Sequence, residues 1–242
     1  MVFLYFGTIV IYNLHAKLLR MSLITSYRKR FALAFIVLSI PTFLLSTAFI
    51  SVGGDDGLKI GKKMPLSERK MAGIDGQDHS LNQFVKENGL IVIFSCNTCP
   101  FVVGNDNFEG WEKQYNALYE RASVRKIGLV LVNSNEAKRD GDDSMGEMIS
   151  HAKAAGYKMP YVVDENSTLA DALGAKTTPH VYAFSADKEL IYKGSIDNTW
   201  DSKRTEVETY LYQVMDNLDG GKKLKENSTT PRGCSIKRVK VN

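Results

Sequence analysis

Cysteine is scarce: the 242 residues hold three, Cys96, Cys99 and Cys234. That is too few for a small secreted scaffold held together by disulfides. Acidic side chains are missing from residues 1–48, where five basic ones stand: Lys17, Arg20, Arg28, Lys29 and Arg30. Removing those five from the chain's 31 Lys and Arg leaves 26, against 27 Asp and Glu, so the formal charge of +4 belongs to the N-terminal segment. The remainder has no basic excess to hold a phosphate backbone, which argues against nucleic acid as a partner. Histidine is also sparse, four scattered residues, and with Cys234 so distant a four-ligand zinc centre on Cys96 and Cys99 is disfavoured. No internal repeat is visible. The run Asp140-Gly141-Asp142-Asp143 lacks the full spacing of a calcium loop and reads as a solvated loop. With 44% hydrophobic and 24% charged residues, the composition is that of a globular protein.

The basic cluster at Ser26–Arg30 is followed by an apolar run from Phe31 to Ile50. A charged segment leading into such a run has the form of a secretory signal, with Ser46 and Ala48 placing a cut before Phe49. Uncut, the run is long enough to span a bilayer as an anchor, with the basic cluster kept in the cytoplasm. Met21 stands just before this signal and offers an alternative start. The expected organisation is therefore a signal or anchor over residues 1–50, a linker over 51–57, a domain over 58–219, and a loosely attached polar tail over 220–242 that contains Cys234. The expected location is exported: periplasmic, or anchored and facing the extracytoplasmic side.

Within the domain, Leu90-Ile91-Val92-Ile93-Phe94 and Ile127–Val132 have the continuous apolar character of strands buried on both faces. A helix is expected from Pro100 to Ala122, with Phe108, Trp111, Tyr115, Leu118 and Tyr119 as its core stripe. A polar loop (133–143), a helix (144–155), a short strand (161–163) and a short helix (168–173) follow. His180–Phe184 and Leu190–Tyr192 flank a turn, the pattern of a β-hairpin, and an amphipathic helix carrying Val207, Tyr210, Leu211, Val214, Met215 and Leu218 ends at Gly220-Gly221. Parallel strands with crossover helices, closed by a hairpin, predict a three-layer α/β domain with a mixed central sheet.

The chemistry centres on Cys96-Asn97-Thr98-Cys99-Pro100, directly after the first buried strand. A sulfur in the first turn of a helix faces unpaired N–H groups and the positive end of the helix dipole, both of which favour thiolate. Two intervening residues let one sulfur attack a mixed disulfide formed by the other. Pro100 suits a first turn because it has no N–H to donate. The Thr178–Pro179 bond is a candidate cis peptide.

These features resemble the thioredoxin superfamily, nearest its peroxiredoxin-like thiol–disulfide oxidoreductase branch. The matching pieces are Leu58–Gly61, Ile74-Asp75-Gly76, Ser80-Leu81, the segment Ile93–Pro100, Asp164 before a helix, Thr177-Thr178-Pro179, and Gly233–Lys237. The resemblance implies a thioredoxin-like fold, Cys96 as the attacking thiol and Cys99 as the resolving thiol. It also implies that Pro179 faces them in the cis form and that Thr178 offers a free backbone edge to an extended partner. Two positions differ from the superfamily's usual pattern: Ser95 stands in place of a Trp, and Leu90 in place of a buried acid, with Glu87 the nearest acid upstream.

The expected function is exchange of a dithiol/disulfide with cysteines of partner proteins, fed by a membrane electron donor and needing no cofactor. The alternatives are a thiol peroxidase with Cys99 as its reactive cysteine, and a copper-handling or partner-binding module using Cys96, Cys99 and His180. Cys234 is open to three readings: a further redox thiol, an intermolecular link, or an idle residue.

Overall fold

The computed structural model describes residues 57–221 and 223–239. The expected signal or anchor and nearly all of the linker lie outside the described residues.

The five residues Leu90-Ile91-Val92-Ile93-Phe94 form the central strand, β3, and every one is buried. Alternation of side chains across the pleat sorts them into two layers. Ile91 and Ile93 face a cluster with Trp111, Tyr115, Leu118, Met148, Leu211 and Met215. Leu90, Val92 and Phe94 face the other, with Leu81, Leu169, Leu173, Tyr182 and Phe184. A strand that is apolar at every position therefore needs helices on both sides, and it has them.

Upstream, β1 (Met71–Ala72) and β2 (Asp78–His79) pair antiparallel and precede the short helix α1 (Leu81–Phe84). After β3 come α2 (Pro100–Val103), α3 (Glu112–Val124), β4 (Gly128–Asn133), α4 (Met145–Ala155), β5 (Tyr161–Val163) and α5 (Thr168–Leu173). Then follow β6 (Thr177–Thr178), β7 (His180–Phe184), β8 (Leu190–Gly194), α6 (Tyr210–Leu218) and β9 (Cys234–Ser235). The main sheet has the order β5-β4-β3-β7-β8. β3, β4 and β5 are parallel; β7 runs antiparallel to β3 and is joined to β8 as a hairpin. This is the expected thioredoxin-like three-layer architecture with a mixed sheet.

Three expectations are corrected. The single helix over 100–122 is two helices, α2 and α3, separated by a tight excursion. Gly104 and Gly110 hold positive φ angles of 96° and 80°, and a Cβ on Gly110 would come within 2.3 Å of the Val102 carbonyl oxygen. Between them the Asn105 side chain accepts the N–H groups of Asn107 and Phe108, closing a turn. The amphipathic stripe beginning at Val207 starts only at Tyr210, and Val207 is exposed.

The described part of the tail is not loose. Thr229 bonds Tyr192 and Ser195, and β9 pairs with β6. Beyond it, the Lys237 carbonyl accepts the Ala137 N–H. Arg238 binds the Asp171 carboxylate and the Ala175 carbonyl.

Candidate active site

Phe94 pairs with His180 at the end of the antiparallel β3–β7 ladder. Extending that register by two residues brings Cys96 opposite Thr178, and the side chains meet there: Cys96 Sγ lies 3.1 Å from Thr178 Oγ1. The Thr178–Pro179 bond is cis. Cys99 is the residue capping the N-terminus of α2, with Pro100 in the first turn. Its own carbonyl accepts the N–H groups of Val102 and Val103. Its thiol lies 3.1 Å from the Thr178 carbonyl oxygen. One residue of the β6 edge thus touches both sulfurs, and both cysteines are buried.

The two thiols have opposite acidities. At Cys99 the largest influence is a hydrogen bond from the Cys96 thiol, opposed by burial and reinforced by the Cys234 thiol and the N–H groups of Cys234 and Phe101. The Thr178 carbonyl favours the protonated form, but the donors around the sulfur outnumber it, and the Cys99 pKa falls to about 5. Cys96 is pushed up by its hydrogen bond to Cys99 and by burial, and it is the member that keeps the proton. The hydrogen bonds at the pair thus favour the thiolate on Cys99, where the resemblance implied Cys96 as the attacking thiol. Cys99 caps the helix, whereas Cys96 lies in the turn before it.

Behind the pair stands a polar knot. The Asp143 carboxylate is fully buried and accepts the Asn97 N–H at 3.0 Å, Asn133 Nδ2 at 2.7 Å and Asn135 Nδ2 at 2.9 Å. Asn97 donates through Nδ2 to the Asp142 carbonyl and accepts from the Tyr161 hydroxyl. Arg139 binds the carbonyls of Asp143 and Asn133. The solvated-loop reading of residues 140–143 is thus wrong for Asp143, which fixes the backbone between the two cysteines. Glu87, the nearest acid upstream, is exposed and paired with Lys126. Asp164 serves as a second buttress, accepting the N–H groups of Leu169 and Ala170 and the Ser134 hydroxyl.

Cys234, expected in a loose tail, lies at the site. It sits opposite Thr178 in the β6–β9 pair, and its N–H is 3.3 Å from Cys99 Sγ. Burial, and after it the hydrogen bond of its thiol to Cys99, raises its pKa to about 11. The free edge expected at Thr178 is therefore occupied, and Thr178 is 1% exposed. His180 is buried, accepts the Lys176 N–H at Nδ1 and packs against Tyr182. Among the described residues no group of three His, Cys, Asp or Glu side chains is spaced to hold a metal ion. His79 pairs with Asp75 and His151 with Glu112.

The chain matches the Redoxin family model over residues 59–211. It is a member of the Redoxin family. That membership sets it in the peroxiredoxin-like branch of the thioredoxin superfamily, with thiol-based oxidoreductase chemistry in general terms. Among solved structures, this Redoxin chain is similar to an uncharacterized conserved protein from Geobacillus kaustophilus. The two are 27% identical with a TM-score of 0.67, over 76% of this chain and 94% of that one. A hypothetical protein from Sinorhizobium meliloti shares its fold at 24% identity and a TM-score of 0.66, over 75% of this chain and 96% of that one. No curated protein matches.

The structure brings the sequence-predicted Cys96, Cys99, Thr178, Pro179 and Cys234 together in one candidate site, with Asn97, Asp143 and Gly233 beside them. The signal for Asp143 was present only as an acid in a polar run, which a solvated loop would show equally well.

Proposed function

We propose that this Redoxin protein is an exported thiol–disulfide oxidoreductase that exchanges electrons with cysteines of partner proteins. The observation that carries the reading is geometric: Cys96 Sγ and Cys99 Sγ each lie 3.1 Å from Thr178, and Cys99 gathers hydrogen-bond donors that favour its thiolate. The Cys99 thiolate attacks one sulfur of a partner disulfide and expels the other as a thiolate, which takes a proton. Once Cys99 is bonded, its negative charge no longer holds the proton on Cys96. Cys96 then deprotonates and attacks Cys99 Sγ, releasing the partner's second thiol and leaving a Cys96–Cys99 disulfide. Two electrons pass to the partner, and a dithiol donor restores the pair. Export rests on the basic cluster Arg28-Lys29-Arg30 and the apolar run behind it.

The test is a redox titration of the protein with acid trapping, alkylation and peptide mass mapping. A reversible Cys96–Cys99 pair is expected, and a variant with both Cys96 and Cys234 replaced by Ser should accumulate a mixed disulfide through Cys99. A pair that stays permanently bridged, or never bridges, overturns the reading.

A second reading, thiol peroxidase, is favoured by the same feature, since the thiolate is the cysteine followed by Pro100. Hydrogen peroxide consumption with a thiol donor, lost in Cys99→Ser and retained in Cys96→Ser, would select it over disulfide exchange. Two arginines that could polarise a peroxide, half-buried Arg139 and exposed Arg232, are otherwise engaged. Arg139 binds carbonyls of the polar knot, and Arg232 lies over the Trp200 ring.

A further inference from the structure

Neither sulfur of the pair is open to a partner protein: Cys96 is 2% and Cys99 3% exposed. What covers the Thr178 edge is the chain's own C-terminal segment. We propose that residues 233–236 act as a tethered stand-in for an extended partner strand, and that Cys234 is a third redox thiol exchanging with Cys99. This rests on the reading of Cys96 and Cys99 as a cycling pair.

The segment lies where a partner strand would. It runs antiparallel to β6 with Cys234 opposite Thr178, beside the cis-proline. Cys234 directs both its N–H and its thiol at Cys99 Sγ, so Cys99 has a sulfur neighbour on each side, Cys96 and Cys234. Close approach is built into the sequence. A Cβ on Gly233 would fall 2.1 Å from the Thr178 carbonyl oxygen and 3.1 Å from Pro179 N, so any larger residue lifts the segment off the edge. Downstream, anchors hold the register: Ile236 is buried, its N–H donates to the Lys176 carbonyl, and the Lys237 N–H donates to Asn135 Oδ1. Cys234 itself stays partly exposed.

The exchange needs no outside reactant. In the oxidised protein the Cys234 thiolate attacks Cys99 Sγ. The Cys99–Cys234 bond forms as the Cys96–Cys99 bond breaks. The electron pair leaves on the Cys96 sulfur, which takes up the proton that Cys234 gave away. The redox state of the whole chain is unchanged. The product has its docking edge covalently closed and Cys96 reduced, and attack by Cys96 on Cys99 Sγ reverses it. A partner disulfide therefore reaches Cys99 only when the segment leaves the β6 edge.

The full chain is equilibrated in glutathione redox buffers, quenched in acid, alkylated and mapped by mass spectrometry. The wild type is expected to hold Cys99–Cys234 alongside Cys96–Cys99, and Cys96→Ser to hold Cys99–Cys234 as its main intramolecular bridge. Gly233→Ala is expected to lower the Cys99–Cys234 share by tenfold or more while Cys96–Cys99 still forms, and to speed reduction of a protein disulfide. Cys234 found alkylated at every potential, in the wild type and in Cys96→Ser alike, overturns the proposal while a reversible Cys96–Cys99 pair leaves the oxidoreductase reading standing. Cys99–Cys234 forming with Cys96 never bridged would overturn both, since the exchange starts from a Cys96–Cys99 disulfide. The wild-type map decides even where a variant fails to fold.

Discussion

At the scale of single residues, the chemistry follows from which groups point at which sulfur. Cys99 collects thiol and N–H donors, so its thiolate is present above about pH 5 and lost as the pH falls through that value. The initial rate of exchange with a dipyridyl disulfide is expected to be flat from neutrality down to roughly pH 6 and to halve near pH 5, whereas an ordinary thiol would already be slow at neutrality. A profile with its midpoint near the usual thiol range would place the reactive thiolate elsewhere. The three donors on Asp143 give a second prediction. Asp143→Ala strands the Asn97 N–H and two side-chain amides in a buried site, and is expected to cost about 3–5 kcal/mol in denaturant unfolding. Asp143→Asn, which keeps the shape and some of the acceptors, should cost less. Cys96, Cys99, Thr178 and Pro179 were legible because spacing along a strand–turn–helix is local information. Asp143 was not, because its burial depends on four segments converging.

At the scale of elements, the sequence pattern announced strands and helices wherever apolar periodicity extended over several turns, and failed where two residues decide the path. Trp111, Tyr115 and Leu118 do form one buried apolar face at the start of α3, but Phe108 lies in the excursion between Gly104 and Gly110 that redirects the chain before it. Gly110→Ala must fit a Cβ into 2.3 Å at a positive φ. It should lower the unfolding midpoint by an amount corresponding to about 2 kcal/mol or more, measured by thermal or urea melts. An equally stable variant would mean that the α2–α3 excursion can relax. The two-residue strand β9 was illegible for a different reason. Its partner lies more than fifty residues away, and nothing in Gly-Cys-Ser-Ile-Lys signals pairing by itself.

At the scale of the whole molecule, the alternation of buried strands and crossover helices was sufficient to give the three layers and the mixed sheet, since few arrangements cover both faces of an all-apolar strand. One of those layers is tied to the far end of the sheet by Trp111, whose indole N–H donates to buried Asp197 at 2.7 Å. Trp111→Phe removes that donor and leaves a void in the core, with an expected loss of about 2–3 kcal/mol in unfolding free energy. The location belongs to this scale too. Amino-terminal sequencing of the protein from a cell-envelope fraction should begin at Phe49 if the signal is cut, and retain Arg28–Arg30 if the segment serves as an anchor.

The covering of two reactive sulfurs by a strand of only two residues has a practical meaning for anyone labelling this protein. A reagent's speed at Cys99 is its speed on an unhindered thiolate multiplied by the fraction of time the cover is lifted. Each tenfold slowing relative to a small-molecule thiol of matched acidity therefore corresponds to about 1.4 kcal/mol of opening free energy. Sluggish labelling would accordingly gauge how firmly the lid is shut, and would say nothing about how nucleophilic the atom beneath it is.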